Sequence, residues 1–176
     1  MTQPRGIILF GANGSGKTTI GRELAQMLGC KFMDIEDYHF LPSDVPYTKF
    51  RSREDCIALM LSDIRKYENF VLTAVTGDFG DELAKYYALA VHLSAPEGLR
   101  MDRIDKRARD QHHERVLEGG DMHESHKQFM DFAKNRPLSK IDDWEKSLQC
   151  PVVHMEGTGD ANENAQKIAA MYNKIS

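Results

Sequence analysis

The chain is short of several things, and each shortage narrows what it can be. It has three cysteines, Cys30, Cys56 and Cys150, widely spaced and without a CxxC pair. That argues against a disulfide framework and fits a reducing cytoplasm. No apolar run comes near the roughly 20 residues that a membrane span needs. Residues 1–5 are polar and lead straight into an apolar run, unlike a signal peptide. Basic residues are outnumbered, 23 against 27 acidic, for a formal net charge of −4. Such a balance speaks against nucleic acid and anionic membranes as partners. There is no internal repeat and no low-complexity tract. What remains is ordinary: 176 residues, 41% hydrophobic and 28% charged. This is the make-up of one folded domain over 1–176, monomeric or homodimeric, rather than of a disordered chain or a coiled coil.

Short apolar runs alternate with helical patterns. Residues 6–10 (GIILF), 30–34, 70–75 (FVLTAV), 90–93 and 152–155 read as strands. The clearest are apolar without alternation, as in strands covered on both faces. Hydrophobic spacing predicts helices over 17–28, 53–66, 78–87, 96–109, 125–135, 139–148 and 162–175. Within 53–66, for example, Ile57, Met60, Leu61 and Ile64 share one face. Pro42 and Pro46 mark 41–50 as loop, and the polar stretch 110–124, with Gly119-Gly120 inside it, reads as exposed and mobile. Phe129, Phe132 and Ala133 are expected to face inward, and Trp144 to be a packing residue. The alternation predicts an α/β fold: three α/β/α layers around a five-stranded parallel sheet, with a helical or loop lid.

One motif carries specific chemistry. Gly11-Ala-Asn-Gly-Ser-Gly-Lys-Thr18 is a complete GxxxxGK[ST], between an apolar strand and an amphipathic helix. Glycines let backbone N–H groups turn inward around phosphate oxygens. The loop residues Gly11, Asn13, Gly14, Ser15, Gly16 and Thr19 are therefore candidates for holding nucleotide. Lys17 places a point charge on the β/γ oxygens, and the Thr18 hydroxyl is a ligand for Mg²⁺. The helix that begins there points its positive end at the anion. Neither an NKxD base-reading motif nor a DxxG switch is present, which excludes a GTPase, and the chain is too short for the larger P-loop machines.

With this loop, the segment FMDIEDYHF and a long basic helix, the chain resembles the adenylate kinase, shikimate kinase and gluconate kinase group of P-loop kinases. It is most similar to small bacterial proteins described as adenylate kinase-like or AAA-family ATPases. The likeness of layout implies an acceptor region over about 35–66 and a lid over about 108–126. Asp34 ends the second strand, where open α/β sheets bind ligands. Shikimate kinases carry Asp-x-Asp there, which Asp34-x-Glu36 resembles, with Asp37 a substitute for Glu36. The resemblance implies that Asp34 assists Mg²⁺ through water and contacts the acceptor hydroxyl; the competing role is a helix-start cap. Phe50-Arg51-Ser52-Arg53-Glu54 resembles the Phe-Arg-x-x-Glu element whose Arg grips an acceptor carboxylate, so Arg51 is implied as an anion anchor, against a solvated helix start. Thr76 and Gly77 follow the third strand at the mouth of the sheet and are acceptor-side candidates, although the turn matches neither relative's pattern well.

Five arginines, Arg100, Arg103, Arg107, Arg109 and Arg115, crowd 16 residues. Arg103 and Arg107 are one helical turn apart. Asp102-Arg103-Ile104-Asp105-Lys106-Arg107 is similar to an adenylate kinase run in which the first Arg stacks on adenine and the second clasps the transferring phosphate. By that resemblance Arg103 takes the adenine and Arg107 the phosphate, with Arg115 reaching in as the lid closes. The competing role is a solvated ion-pair face, since acidic residues are interleaved. His112, His113, His123 and His126 lie in the same stretch; a solvated polar lid fits them better than a metal site. Arg136 is a further candidate for phosphate contact, and Gly157 and Thr158, after the fifth strand, for the loop beside adenine. The expected function is transfer of the γ-phosphate of Mg-ATP to a small hydroxy acid, sugar acid or nucleotide. The competing one is a nucleotide-binding regulator or slow ATPase without acceptor chemistry.

Overall fold

The computed structural model describes residues 3–175. Strand β1 (Arg5–Phe10) fixes its layout. Ile7, Ile8, Leu9 and Phe10 are all fully buried, so both faces and both edges of this strand must be covered. Its edges are taken by β3 (Asn69–Ala74) and β4 (Tyr87–Ser94), each parallel to it. Beyond β3 lies β2 (Lys31–Asp34), and beyond β4 lies β5 (Val152–Glu156). The order β2-β3-β1-β4-β5 makes a five-stranded parallel sheet, as the alternation of elements predicts. Successive connections leave β1 in opposite directions, so a crevice opens at its carboxyl end.

Alternate residues of β1 feed two separate cores. Ile7 and Leu9 pack with Ile20 and Leu24 of α1 (Lys17–Leu28) and with Ala165 and Ile168 of α8 (Ala161–Ile175). Ile8 and Phe10 pack with Met60, Leu61 and Ile64 of α3 (Arg53–Tyr67) and with Ile141 of α7 (Ser139–Glu145). These are the three expected layers. Long helix α5 (Glu97–His112) follows β4, and α6 (His123–Asn135) lies against it. Among the described residues no helix is long and apolar enough to cross a membrane.

One element is added to the expected set and three local expectations are corrected. A one-turn helix, α2 (Ile35–His39), follows β2 because Asp34 Oδ1 accepts the Glu36 N–H at 3.1 Å; five residues are too few for a hydrophobic period to show. Of 78–87 only α4 (Asp81–Ala84) is helical. Tyr87 instead opens β4, buried, with its hydroxyl donating to the Gly77 carbonyl at 3.2 Å. The segment 110–124 is folded: α5 runs to His112, a 3₁₀ turn covers His113–Val116, and Val116 and Met122 are buried. Phe132 is 53% exposed and carries the Arg136 guanidinium 5.3 Å from its ring centre.

Trp144 does pack as expected, edge-on to Phe10 at 4.9 Å between ring centres, while His92 stacks on Phe10 at 4.7 Å. Phe10→Ala removes the shared wall of these contacts. It is expected to lower the unfolding free energy by about 3–5 kcal/mol, read by urea titration of Trp144 fluorescence; a loss well under about 1 kcal/mol would contradict this packing.

Candidate active site

The turn between β1 and α1 is built by backbone. Gly14 has φ 80°, and a Cβ there would run into the Arg100 main chain, so only glycine serves. Lys17, the first residue of α1, folds back and donates from Nζ to the carbonyls of Gly11 and Ala12, both at 2.9 Å. Burial is the main influence on this ammonium and lowers its pKa from 10.5 to about 7. Asp34 and Glu36 pull it up, and Arg107 and Arg136 push it further down. Asn13 Oδ1, Ser15 Oγ and Thr73 Oγ1 are buried without a hydrogen-bond partner. Each such orphan costs about 1–3 kcal/mol, and the Ser15 hydroxyl, a spare donor in a turn that also holds the Lys17 ammonium, suits the turn to a bound polyanion. Thr18 Oγ1 donates to Asp34 Oδ2 at 3.0 Å, which sets two hard oxygens side by side. That pair fits a hard divalent cation such as Mg²⁺, Thr18 directly and Asp34 through water.

A cleft of about 580 Å³ opens over the turn. It brings together Asn13, Gly14, Gly16, Lys17, Thr18, Thr19, Asp34, Glu36, Arg103, Arg107 and Gly157, from four different parts of the chain. Arg103 spans it, donating to the Gly14 carbonyl at 3.2 Å and the Gly157 carbonyl at 2.8 Å. Gly157 donates to the Ser94 carbonyl at 2.7 Å, and a Cβ on it would overlap the Ser15 carbonyl. Thr158 turns aside: its hydroxyl donates to Glu156 at 3.4 Å and its carbonyl accepts from Asn164 at 2.8 Å. Arg100, which the sequence shows only as one of the clustered arginines, is buried and donates to the Asn13 carbonyl at 3.2 Å. Its spacing from Arg103 and Arg107 on one face of α5 was the available signal.

A second cleft of about 350 Å³ adjoins the first, sharing Ile35, Ala74 and Val75 with it. Thr76 lines it, with Arg53, Arg136, His39, Cys56 and Phe79. In the first cleft, next in sequence to the shared Ile35, Glu36 has its carboxyl pKa raised, chiefly by burial and then by Asp34, against the pull of Arg107 and Lys17. Arg51 lines neither cleft. Its guanidinium donates to the Tyr38 carbonyl at 2.8 Å and the Asp37 carbonyl at 3.4 Å, closing the end of α2. Asp37 is exposed, and Gly77 lies against Trp144 and the Tyr87 hydroxyl. The cationic group the structure brings to this cleft from the Phe50–Glu54 element is Arg53 instead, whose guanidinium also donates to the Asp78 carbonyl at 2.6 Å. Ser52 caps α3, accepting from the Asp55 N–H at 3.1 Å, so Arg51 lies on the extended chain before the helix and Arg53 is its first residue.

Arg115 also stands away from the cleft. It pairs with Asp121 at 2.8 Å and donates to the Asp44 carbonyl at 3.0 Å, tying the lid to the loop after α2. The lid histidines are held separately, His126 on Asp105 at 2.9 Å and His123 on the Val116 carbonyl at 3.1 Å. They form no metal-binding group among the described residues.

Comparison with known proteins agrees with this layout. A family model described as an AAA domain matches residues 7–146. A protein of Bacillus subtilis (strain 168) called "Uncharacterized protein YqaC" is 27% identical over 172 residues, covering 93% of this chain and 95% of its own. A shikimate kinase of Actinobacillus pleuropneumoniae is 35% identical over 86 residues, 44% of this chain and 48% of that one. The chain thus spans under half the length of that relative. Among solved structures, a shikimate kinase from Acinetobacter baumannii in complex with shikimate superposes with a TM-score of 0.56. It is 22% identical and the match covers 98% of this chain and 94% of that one. A gluconokinase from Sinorhizobium meliloti 1021 gives 0.54 at 15% identity, over 99% and 95%. These structures share the fold.

Two outcomes test the site. With a pKa of about 7, free Lys17 is mostly neutral at about pH 8, and bound phosphates restore its charge. Nucleotide binding there is expected to take up close to one proton, and affinity to fall by up to about tenfold per unit as pH rises above 7. Calorimetry in buffers of different ionisation heat measures the uptake, and its absence would contradict the assignment. Gly157→Ala should weaken nucleotide binding by about tenfold or more, since the turn must give way at Ser15; equilibrium titration with a fluorescent ATP analogue reads it.

Proposed function

The chain belongs to the AAA domain family of P-loop proteins, and from that premise we propose that it is a kinase moving the γ-phosphate of Mg-ATP to a small anionic acceptor that bears a hydroxyl. The observation that carries this reading is the pair of joined clefts. One is fitted to a polyphosphate and holds Asp34 and Glu36, and the other, smaller one has Arg53 and Arg136 in its wall and meets the first at Ile35, Ala74 and Val75. Two guanidiniums facing a cavity of this size suit a carboxylate or a phosphate. A regulator that only bound nucleotide would have no use for a second cleft at the end of the phosphate chain.

In this reading Lys17 and the turn amides hold the β- and γ-phosphates, Thr18 and Asp34 hold Mg²⁺, and Gly157 and Arg103 bound the base. When bound, the metal neutralises charge on the phosphates. The acceptor hydroxyl oxygen attacks the γ-phosphorus, and its proton passes to the Asp34 carboxylate, with Glu36 beside it. The bond from the γ-phosphorus to the bridging oxygen breaks and ADP departs. Arg107 faces the cleft where charge builds up on the transferred group. Arg115 joins it only once its pairing with Asp121 and Asp44 gives way, as the lid over 108–126 closes and excludes water. The acceptor region over 35–66 supplies the other wall, and the whole of 1–176 acts as one kinase unit. The shikimate kinases and gluconokinases among its relatives support trying hydroxy acids and sugar acids first as acceptors.

A panel of sugar acids, cyclic hydroxy acids and nucleoside monophosphates, followed by ADP release, should reveal at least one that stimulates turnover. Lys17→Ala should abolish that turnover. Arg53→Ala should raise the acceptor KM by about 10- to 100-fold and leave ATP affinity unchanged. A flat response across the panel, with slow ATP hydrolysis that Lys17→Ala removes, would replace the kinase by a slow ATPase or nucleotide-controlled switch.

A further inference from the structure

A second constellation lies outside both clefts. His92 of β4 and His154 of β5 are paired in the register of the parallel sheet, so both side chains leave the same face side by side. Glu145, the last residue of α7, comes down between them. Its Oε2 is 2.7 Å from His92 Nδ1, and its Oε1 is 2.6 Å from His154 Nε2. The three donor atoms all lie within 4.8 Å of one another. The two rings stand 5.2 Å apart at 83°, which turns both nitrogens toward the carboxylate. Stacking on Phe10 fixes the His92 ring. The side chains of His92 and Glu145 are 18% and 20% exposed and that of His154 is 68% exposed, so the group is walled on one side and open to water on the other.

Two imidazoles and one carboxylate converging from three elements are a donor set for a borderline divalent metal, with the open side left for water. Ligand distances of about 2.0–2.2 Å in a tetrahedral zinc site place neighbouring ligand atoms roughly 3.3 Å apart. The two contacts to Glu145 need open by less than about 1 Å to admit the ion, and exposed His154 is free to move by that much. We propose that His92, Glu145 and His154 form a Zn²⁺ site that staples α7 to the β4–β5 edge of the sheet. The ion is distinct in kind from the hard cation of the phosphate turn, where only oxygens are offered. Because α7 carries Trp144, which lies against Phe10 and Gly77, the staple holds the back wall of the turn that leads into the second cleft.

The test uses the full chain, stripped with a chelator and then kept in excess Mg²⁺ so that hard-oxygen sites are filled. Calorimetry with Zn²⁺ should give one equivalent per chain with a Kd of about 1 µM or tighter, and Zn²⁺ should raise Tm. Co²⁺ in its place should give the visible absorption of a four-coordinate N/O site. His154→Gln, at an exposed position that leaves folding intact, and Glu145→Gln should each weaken binding at least about 100-fold. His112→Gln combined with His126→Gln should leave it unchanged. No binding by the unaltered chain at about 100 µM Zn²⁺ would overturn the proposal. So would undiminished binding by His154→Gln and Glu145→Gln, or its loss in the lid double variant.

Discussion

A buried ammonium held by carbonyl oxygens rather than by a carboxylate sets the terms for the rest of this molecule. Lys17 sits against Gly11 and Ala12, and desolvation works against its charge. Such a group is stable in its place only because the turn around it is rigid, and rigidity comes from β1. That strand is covered on every side, so the turn leaving it starts from a fixed point. α1 begins at Lys17 itself, adding its unpaired N–H groups to the same spot. The phosphate of a nucleotide supplies the opposite charge that the protein withholds.

Arginine is used in two ways around this centre. Arg100 and Arg103 spend their guanidiniums on carbonyl oxygens of the phosphate turn and of Gly157. Arg51 does the same for α2. These three hold backbone in place. Arg107, Arg53 and Arg136 face the clefts. The nucleotide side is therefore mostly main chain, braced by side chains, whereas the acceptor side is mostly side chains on short elements. A main-chain site follows from a motif; a side-chain site follows from how helices are turned.

That difference explains what was legible in the sequence. The phosphate turn, the strand before it and the helix after it are set by local rules, glycine geometry and hydrophobic period, and GANGSGKTT states them in full. The central strands β1, β3 and β4 show as apolar runs because both faces are buried, while the edge strands β2 and β5 are only partly covered. Strand order does not show, since nothing local in Phe70–Val75 says that it pairs between β1 and β2. Helix α2 is too short to have a period. The turn after Gly77 is decided by a distant partner, the Tyr87 hydroxyl, which draws Tyr87 out of the expected helix and into β4. Arg51 and Arg53 are chemically alike in the sequence and both reach backbone carbonyls, of Tyr38 and of Asp78, but only Arg53 does so from the wall of the second cleft. The opposition of His92 and His154 is likewise a matter of register, between residues 62 positions apart in the chain.

Asp34 bonds with both of its oxygens, one to the Glu36 N–H that starts α2 and one to the Thr18 hydroxyl at the start of α1. The two oxygens share a single torsion, so the carboxylate cannot rotate toward one helix without slackening its hold on the other. α2 leads into the loop whose Asp44 carbonyl restrains Arg115. One carboxylate thus anchors the starts of two helices, and the second of them leads straight to the loop that holds Arg115.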